Sequence, residues 1–451
     1  MTSFVQMLVV VLVGEFLRRC VETLLFGFTG PLAKIPGPWL CKVSTLPHKL
    51  ALIQGRNVER YRDLMKRYGD TVRVGAFYHG IQANPKAPDL QTETDKVAYK
   101  QRRRWLSPGF SISYLKGLEP ILAGCLREFE EFLHVKCAEA EGGVAKVDIY
   151  GLVANLASDI ISATSLGGSF EQVKTGKTYY KDRIISRLKR TSIFAQLPFL
   201  KYVPLVPPIE DAEIEDMLDR VLQKRRQMPK EQVHQDLLQI LIDTNVEHPT
   251  VYTEAHIKIA GSDTSSTTAT FAIKLLLEDP EALQKLIGEL DSAFPSKSSP
   301  ITMERTQNLE FLNAVINEAL RVQPILATGI SRETPEPRIV NSYETALHAQ
   351  ITAIGLDAAN FPHPAQFLPE RWLAPVDGVV ADKRAFLPFS GGLRSCPGQQ
   401  FALRELRLIL ATLFRRFELA RVEGQDERLK AHLVRYFAAN KWCVTVKERA
   451  E

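Results

Sequence analysis

The chain has 451 residues, 45% of them hydrophobic and 24% charged. That balance supplies a large core and excludes collagen-like, low-complexity and disordered classes. The net charge of +5 is too mild to imply nucleic acid. Six cysteines (Cys20, Cys41, Cys125, Cys137, Cys396 and Cys443) show no paired spacing, so neither a disulfide framework nor a zinc site is predicted. A reducing compartment is the simpler setting. Length alone suggests roughly three domains. No long Gly/Ser or Pro-rich linker divides the chain, which favours one large domain.

The first predicted element is apolar from Phe4 to Val13 apart from Gln6, until Glu15, Arg18, Arg19 and Glu22 interrupt it. The uninterrupted run falls short of the ~20 residues of a spanning helix. A membrane anchor, a cleaved signal peptide and an interfacial amphipathic helix compete. The missing cleavage site and uncharged start weaken the signal peptide. Arg18, Arg19 and Lys34 after the apolar run place the body in the cytosol. An anchor over residues 1–30 is the reading adopted. Pro31, Pro36 and Pro38 then make a stiff hinge over 31–39, since proline fixes φ and restricts its predecessor. Residues 40–451 form the remaining domain.

Helical periodicity predicts helices at Arg56–Tyr68, Leu115–Glu141, Leu152–Leu166, Tyr179–Phe199, Ile209–Arg226 and Glu231–Thr244. A run of helices continues from Glu254 to Leu320, and a last long helix covers Gln400–Phe417. Strands are expected at Thr71–Val74, within Arg338–Ile354 and after Leu429, with an irregular polar stretch over Gly75–Ala98. The fold class is mainly α with a minor β part.

Cys396 sits in Phe389-Ser390-Gly391-Gly392-Leu393-Arg394-Ser395-Cys396-Pro397-Gly398, a glycine-rich loop before an apolar helix. A lone cysteine is usually a small buried hydrophobe. The glycines change that balance, because they cost backbone entropy unless a turn or close approach needs them. Such a loop can offer a thiolate backbone N–H donors and face it toward a large apolar cofactor. Upstream, Ala260-Gly261-Ser262-Asp263-Thr264 places small and hydroxyl residues in a helical stretch. That is either close helix packing or a groove for a ligand. Glu318-Ala319-Leu320-Arg321 is an i,i+3 pair that alone means little. Pro369-Glu370-Arg371-Trp372 follows it, and Tyr99 precedes Arg102-Arg103-Arg104.

The spacing Phe-x-x-Gly-x-Arg-x-Cys-x-Gly resembles the signature of the cytochrome P450 family, the haem-thiolate monooxygenases, and the other motifs follow in that family's order. The resemblance implies a triangular helical domain with small β-sheets. Cys396 would ligate the iron of haem b, with Phe389, Gly398 and Gly261 around the cofactor. Arg394, Arg103 and Arg332 would pair its propionates, with Tyr99 standing where the family has Trp. Thr264 would hold dioxygen and Asp263 would help deliver protons. Glu318, Arg321 and Arg371 would form a structural triad. The resemblance further implies an apolar small-molecule substrate lined by Ile325–Ile330, a fungal secondary metabolite such as a polyketide, terpenoid or alkaloid. It also implies NADPH–cytochrome P450 reductase as partner, O2 as co-substrate, and an endoplasmic reticulum membrane setting with the body in the cytosol. Arg102, Arg104, Arg404, Arg407, Arg415 and Arg416 either build a basic docking face for an acidic flavoprotein that passes electrons or are the ordinary solvated faces of their helices. The chain is shorter than the family after Gly75, before Ala260 and after Val340. Two other readings are an isomerase or dehydratase without a reductase, which Asp263 and Thr264 oppose, and an impaired haem-binding paralogue.

Overall fold

The computed structural model describes the chain apart from residues 1, 31–32, 70, 75–92, 94, 178, 198–199, 201, 205, 207–210, 230–235, 248–262, 329–338, 341–342, 345–350, 379 and 451. Gly261, Arg332 and much of the three shortened segments therefore lie outside the described residues. The chain divides into two compact units, Met1–Ile81 with Thr328–Gln350, and Gln82–Ala327 with Ile351–Glu451.

The first unit opens with α1, Thr2–Thr29. Its apolar side chains, among them Val10, Phe16, Leu17, Leu24 and Phe28, are exposed. Glu15 accepts from Arg18 at 2.7 Å and from Arg19 at 2.7 Å, and Arg18 also pairs with Glu22. Among the described residues no helix is long and apolar enough to cross a membrane. The charged cluster interrupts the apolar run midway, as the sequence predicts. The proline segment is more than a spacer. Arg73 donates its backbone N–H to the Pro36 carbonyl at 2.8 Å, and its buried guanidinium reaches the carbonyls of Gly27 and Lys42 at 3.2 and 3.0 Å. Gly37 is required there, because a Cβ would come within 2.6 Å of the Arg73 carbonyl oxygen. Thr71–Val74 forms no strand; proline lacks the N–H that a ladder would return. The helix α2, Asn57–Tyr68, is amphipathic and buries Val58, Tyr61 and Leu64. A short hairpin pairs Ile339–Val340 with Tyr343–Glu344.

The second unit carries the large core. Its main helices are α3 (Lys96–Leu106), α4 (Glu119–Glu139), α5 (Ile149–Ser165), α6 (Tyr179–Gln196), α7 (Ala212–Gln227), α8 (Leu237–Glu247), α9 (Asp263–Glu278), α10 (Pro280–Ala293), α11 (Glu310–Val322) and α12 (Gln399–Arg416). The strand β1, Val144–Asp148, precedes α5, and β2 (Phe417–Arg421), β3 (Leu429–His432), β4 (Val434–Phe437) and β5 (Cys443–Glu448) close the chain. β5 lies between β1 and β2, antiparallel to both, with Val144 opposite Lys447 and Phe417 opposite Glu448.

Local chemistry explains most boundaries. Asp279 caps α10 by accepting from the Ala282 N–H at 3.0 Å, and Pro280 starts that helix. The helix expected over Leu115–Glu141 is split, because Pro120 begins α4 and a separate short helix, Ile112–Gly117, precedes it. The irregular stretch expected to reach Ala98 ends sooner. Asp95 accepts from the N–H groups of Val97 and Ala98 and launches α3. The centre of the core is α9, which packs on α5, α11 and α12. Its Phe271, Ile273 and Leu276 are fully enclosed. Each such side chain contributes about 1.5–3 kcal/mol relative to exposure.

Candidate active site

Three elements of the second unit bring the motif residues into place. The first is the loop before α12. Cys396 donates its N–H to the Phe389 carbonyl at 2.9 Å, and Ser395 donates to Gly392 at 3.2 Å, so the loop closes on itself. Gly392 has φ +64° and Ser390 φ +59°. The left-handed region costs a non-glycine roughly 1–2 kcal/mol. Cys396 is exposed, whereas Cys41, Cys125 and Cys137 are buried. Desolvation by the surrounding protein pushes its thiol up; the backbone N–H groups of Gly398 and Gln399 and the charge of Arg103 pull the other way. Gly398 lies beside the sulfur, since a Cβ there would stand 3.9 Å from Sγ. Phe389 is half-buried and packs on the main core.

The second element is α3. Tyr99 is buried and donates its hydroxyl to the Leu393 carbonyl at 2.7 Å. Arg103 donates to Tyr99 Oη at 3.0 Å, to the Ser395 carbonyl at 2.5 Å and to Ser395 Oγ at 3.1 Å. Arg394 lies 3.6 Å above the Tyr99 ring centroid. These contacts use three of the five N–H donors a guanidinium carries.

The third element is α9, whose first described residues are Asp263 and Thr264. Thr264 is exposed, while Ser265, Ser266, Thr267, Thr268 and Thr270 are buried. Thr268 and Thr270 satisfy their hydroxyls on the carbonyls of Thr264 and Ser266, at 2.7 and 2.9 Å. Because α9 packs on α12, the helices bearing Thr264 and following Cys396 are neighbours.

Glu318, Arg321 and Arg371 meet as the motif order predicts, with fully buried side chains. Glu318 accepts from Arg321 at 2.7 and 2.9 Å and from Arg371 at 2.9 Å. It also accepts from the Trp372 indole and from the Leu368 N–H, both at 2.9 Å. Arg321 spends its remaining donors on the carbonyls of Gly355, Pro364 and Gln366, and Arg371 also donates to those of Pro362 and His363. Burial pushes the Arg371 guanidinium down, against the charge of Glu318. A buried charge network this complete fixes the chain segment around it.

Several of the arginines expected to build a basic docking face are engaged within the fold. Arg104 is exposed, but Arg102 is buried and pairs with Glu93 at 2.6 Å. Arg407 donates to Asn313 at 2.6 Å, Arg415 is buried on the Phe294 carbonyl, and Arg416 reaches the Ser299 carbonyl. These guanidiniums serve carbonyls and acids within the fold. Of the expected pocket wall, Ile325 and Ala327 are buried, and residues 329–330 lie outside the described set.

Sequence reasoning missed Glu405. It is fully enclosed on α12 and hydrogen-bonds Ser265 of α9; burial raises its carboxyl to about 7. The signal was an acid on the apolar stripe of Leu406, Leu408 and Ile409.

The sequence pattern of the family described as cytochrome P450 matches residues 59–441. The chain belongs to the cytochrome P450 family. A cytochrome P450 monooxygenase of a Fusarium species, LUC2, is 30% identical over 95% of this chain and 91% of its own length. The monooxygenase acrD of Aspergillus aculeatus is 30% identical over 97% of this chain and 95% of its own. The crystal structure of the cytochrome P450DA heme domain superposes with a TM-score of 0.65 at 20% identity, covering 80% of each chain. This P450 is therefore a monooxygenase, and its family and fold imply haem with a cysteine thiolate ligand. The residues fit that group: Cys396 is exposed, backbone N–H donors stand at its sulfur, and Arg103 and Arg394 bring positive charge beside the loop.

Proposed function

We propose that this P450 inserts one oxygen atom from O2 into an apolar small molecule, a fungal secondary metabolite of polyketide, terpenoid or alkaloid type. Electrons would come from NADPH through NADPH–cytochrome P450 reductase. The observation that supports this most is the exposed Cys396 thiol in a self-closed loop, with the N–H groups of Gly398 and Gln399 directed at it. Haem b, when bound, supplies the oxygen activation that protein side chains cannot.

The chain's own residues do the rest. Cys396 would hold the iron as a thiolate, and hydrogen bonds to the sulfur would spread its charge. Phe389 would wall the proximal side, and Gly398 and Gly261 would leave space beside the cofactor. Arg394, Arg103 and Arg332 would pair the propionates, as guanidinium geometry suits carboxylates. Thr264 would position dioxygen, and Asp263 would pass protons toward it. Ile325 and Ala327 would belong to the apolar substrate wall. Glu318, Arg321 and Arg371 would hold the segment before the cysteine loop. Residues 40–451 would act as one catalytic domain behind the 31–39 hinge. Segment 1–30 would associate with the endoplasmic reticulum membrane through the exposed apolar side chains of α1, leaving the catalytic domain in the cytosol.

The ferrous carbon monoxide complex tests this directly. The wild type is expected to show the red-shifted Soret band of thiolate ligation, and Cys396→Ala to lose it. An unshifted wild-type band would sink the proposal.

A further inference from the structure

We propose that Tyr99 is a positioning residue for the thiolate, acting as a two-way hydrogen-bond relay that holds the cysteine loop from behind. This rests on the reading of Cys396 as the iron ligand.

The peptide unit joining Ser395 to Cys396 is engaged at both ends. Its carbonyl accepts from Arg103 at 2.5 Å, and its N–H donates to the Phe389 carbonyl at 2.9 Å. Hydrogen bonds in series polarise one another, so the contact at one end strengthens the other. The orientation of that peptide plane sets the direction in which the Cys396 side chain leaves the loop. Arg103 therefore has to be aimed, and Tyr99 aims it. The Tyr99 hydroxyl accepts from Arg103 at 3.0 Å while donating to the Leu393 carbonyl at 2.7 Å. It thereby ties the loop residues 393 and 395 to one helix, α3.

The Tyr99 ring adds a third tie. Arg394, between those two residues, lies 3.6 Å above its centroid, a cation–π contact. Residues 393, 394 and 395 thus all contact Tyr99 or the arginine it orients.

Residue chemistry makes this role specific to tyrosine. A phenol both donates and accepts, whereas an indole N–H only donates. Tryptophan at 99 could serve the Leu393 carbonyl or stack under Arg394, but it could not accept from Arg103. Phenylalanine would keep the stack and lose both hydrogen bonds.

The test compares wild type, Tyr99→Phe and Tyr99→Trp as haem-loaded proteins. Two readouts other than turnover are followed: the rate at which the red-shifted ferrous carbon monoxide band converts to the unshifted form on mild warming, and the ferric–ferrous reduction potential. A red-shifted wild-type band first establishes thiolate ligation, so its absence indicts the haem-thiolate reading and not the relay. With the band in place, Tyr99→Phe is expected to convert about five- to a hundredfold faster than wild type, the effect of losing two net hydrogen bonds. Its potential is expected to shift, with the far-ultraviolet melting midpoint unchanged. Tyr99→Trp is expected to convert faster too, because the acceptor is lost. Wild-type conversion and potential in Tyr99→Phe would overturn the relay. So would a Tyr99→Trp protein that matches wild type, and this variant decides the question if Tyr99→Phe fails to load haem.

Discussion

One four-residue pattern, Glu-x-x-Arg, stands on α1 and again on α11 with opposite consequences. Glu15-x-x-Arg18 lies on α1 with side chains 40% and 56% exposed, while Glu318-x-x-Arg321 lies on α11 with both at 0%. Both pairs show N–O distances of 2.7 Å. In water the first exchanges one set of partners for another, and salt screens what remains. The second has no water to fall back on, so every donor lost leaves a buried charge uncompensated. Distance and spacing are equal; burial and the number of further partners decide the difference.

Glu318→Ala is the strongest way to expose that contrast. It strands Arg321 and Arg371, a loss of about 3–5 kcal/mol by the cost of breaking a buried ion network. The expected outcome is failure to retain haem, read as haem per protein after purification, together with a lowered denaturation midpoint. Normal holoprotein yield would show the network to be dispensable.

Glu405 asks what burial does to an acid that has no cationic partner among the described residues. Its carboxyl rises from an ordinary 4.5 to about 7, chiefly through burial. The folded state therefore binds the proton more tightly than the unfolded one. The associated stability is complete below pH 4.5 and is lost as the pH climbs through about 7. The shift corresponds to about 3 kcal/mol. Glu405→Gln is expected to match wild type near pH 4.5 and to be the more stable protein at pH 8, by denaturant unfolding at both pH values. Equal unfolding curves at pH 8 would contradict the buried proton.

Trp372→Phe sharpens the comparison from inside the network, removing one neutral donor to Glu318 while keeping an aromatic ring. A hydrogen bond to a charged group contributes about 1.5–3 kcal/mol, so a smaller loss than for Glu318→Ala is expected from the same measurement. Glu15→Ala stands at the other end. Its melting curve is expected to overlay that of wild type, and a clear fall in midpoint would break the contrast.

The two patterns also show how much was legible in the sequence. Letters alone could not tell Glu318 from Glu15. What separated them was order along the chain, with Arg371 and the Cys396 loop downstream of one and a proline segment downstream of the other. Helices with strong periodicity, such as α2, α5 and α12, emerged within a few residues, because their signal is local. The strand β1 was missed because its partner β5 lies at the other end of the chain, with Val144 opposite Lys447. The inward turn of Arg102, Arg407 and Arg415 was equally invisible. Whether a guanidinium faces water or caps a carbonyl depends on neighbours that arrive from distant segments. Tyr99 was legible as a departure from the family pattern, but its grip on the Leu393 carbonyl was not.

Helix α12 runs from Gln399 to Arg416 and passes without a connecting loop into β2 at Phe417. One end of this rod abuts Cys396, and the other is stitched into the sheet beside β5. A single residue inserted along it would turn everything beyond by about 100° and push it 1.5 Å along the axis. Either the sulfur or the sheet would then lose its register. The stretch from Cys396 to Phe417 is a ruler of fixed length, and gains or losses of chain in the course of evolution have to fall outside it.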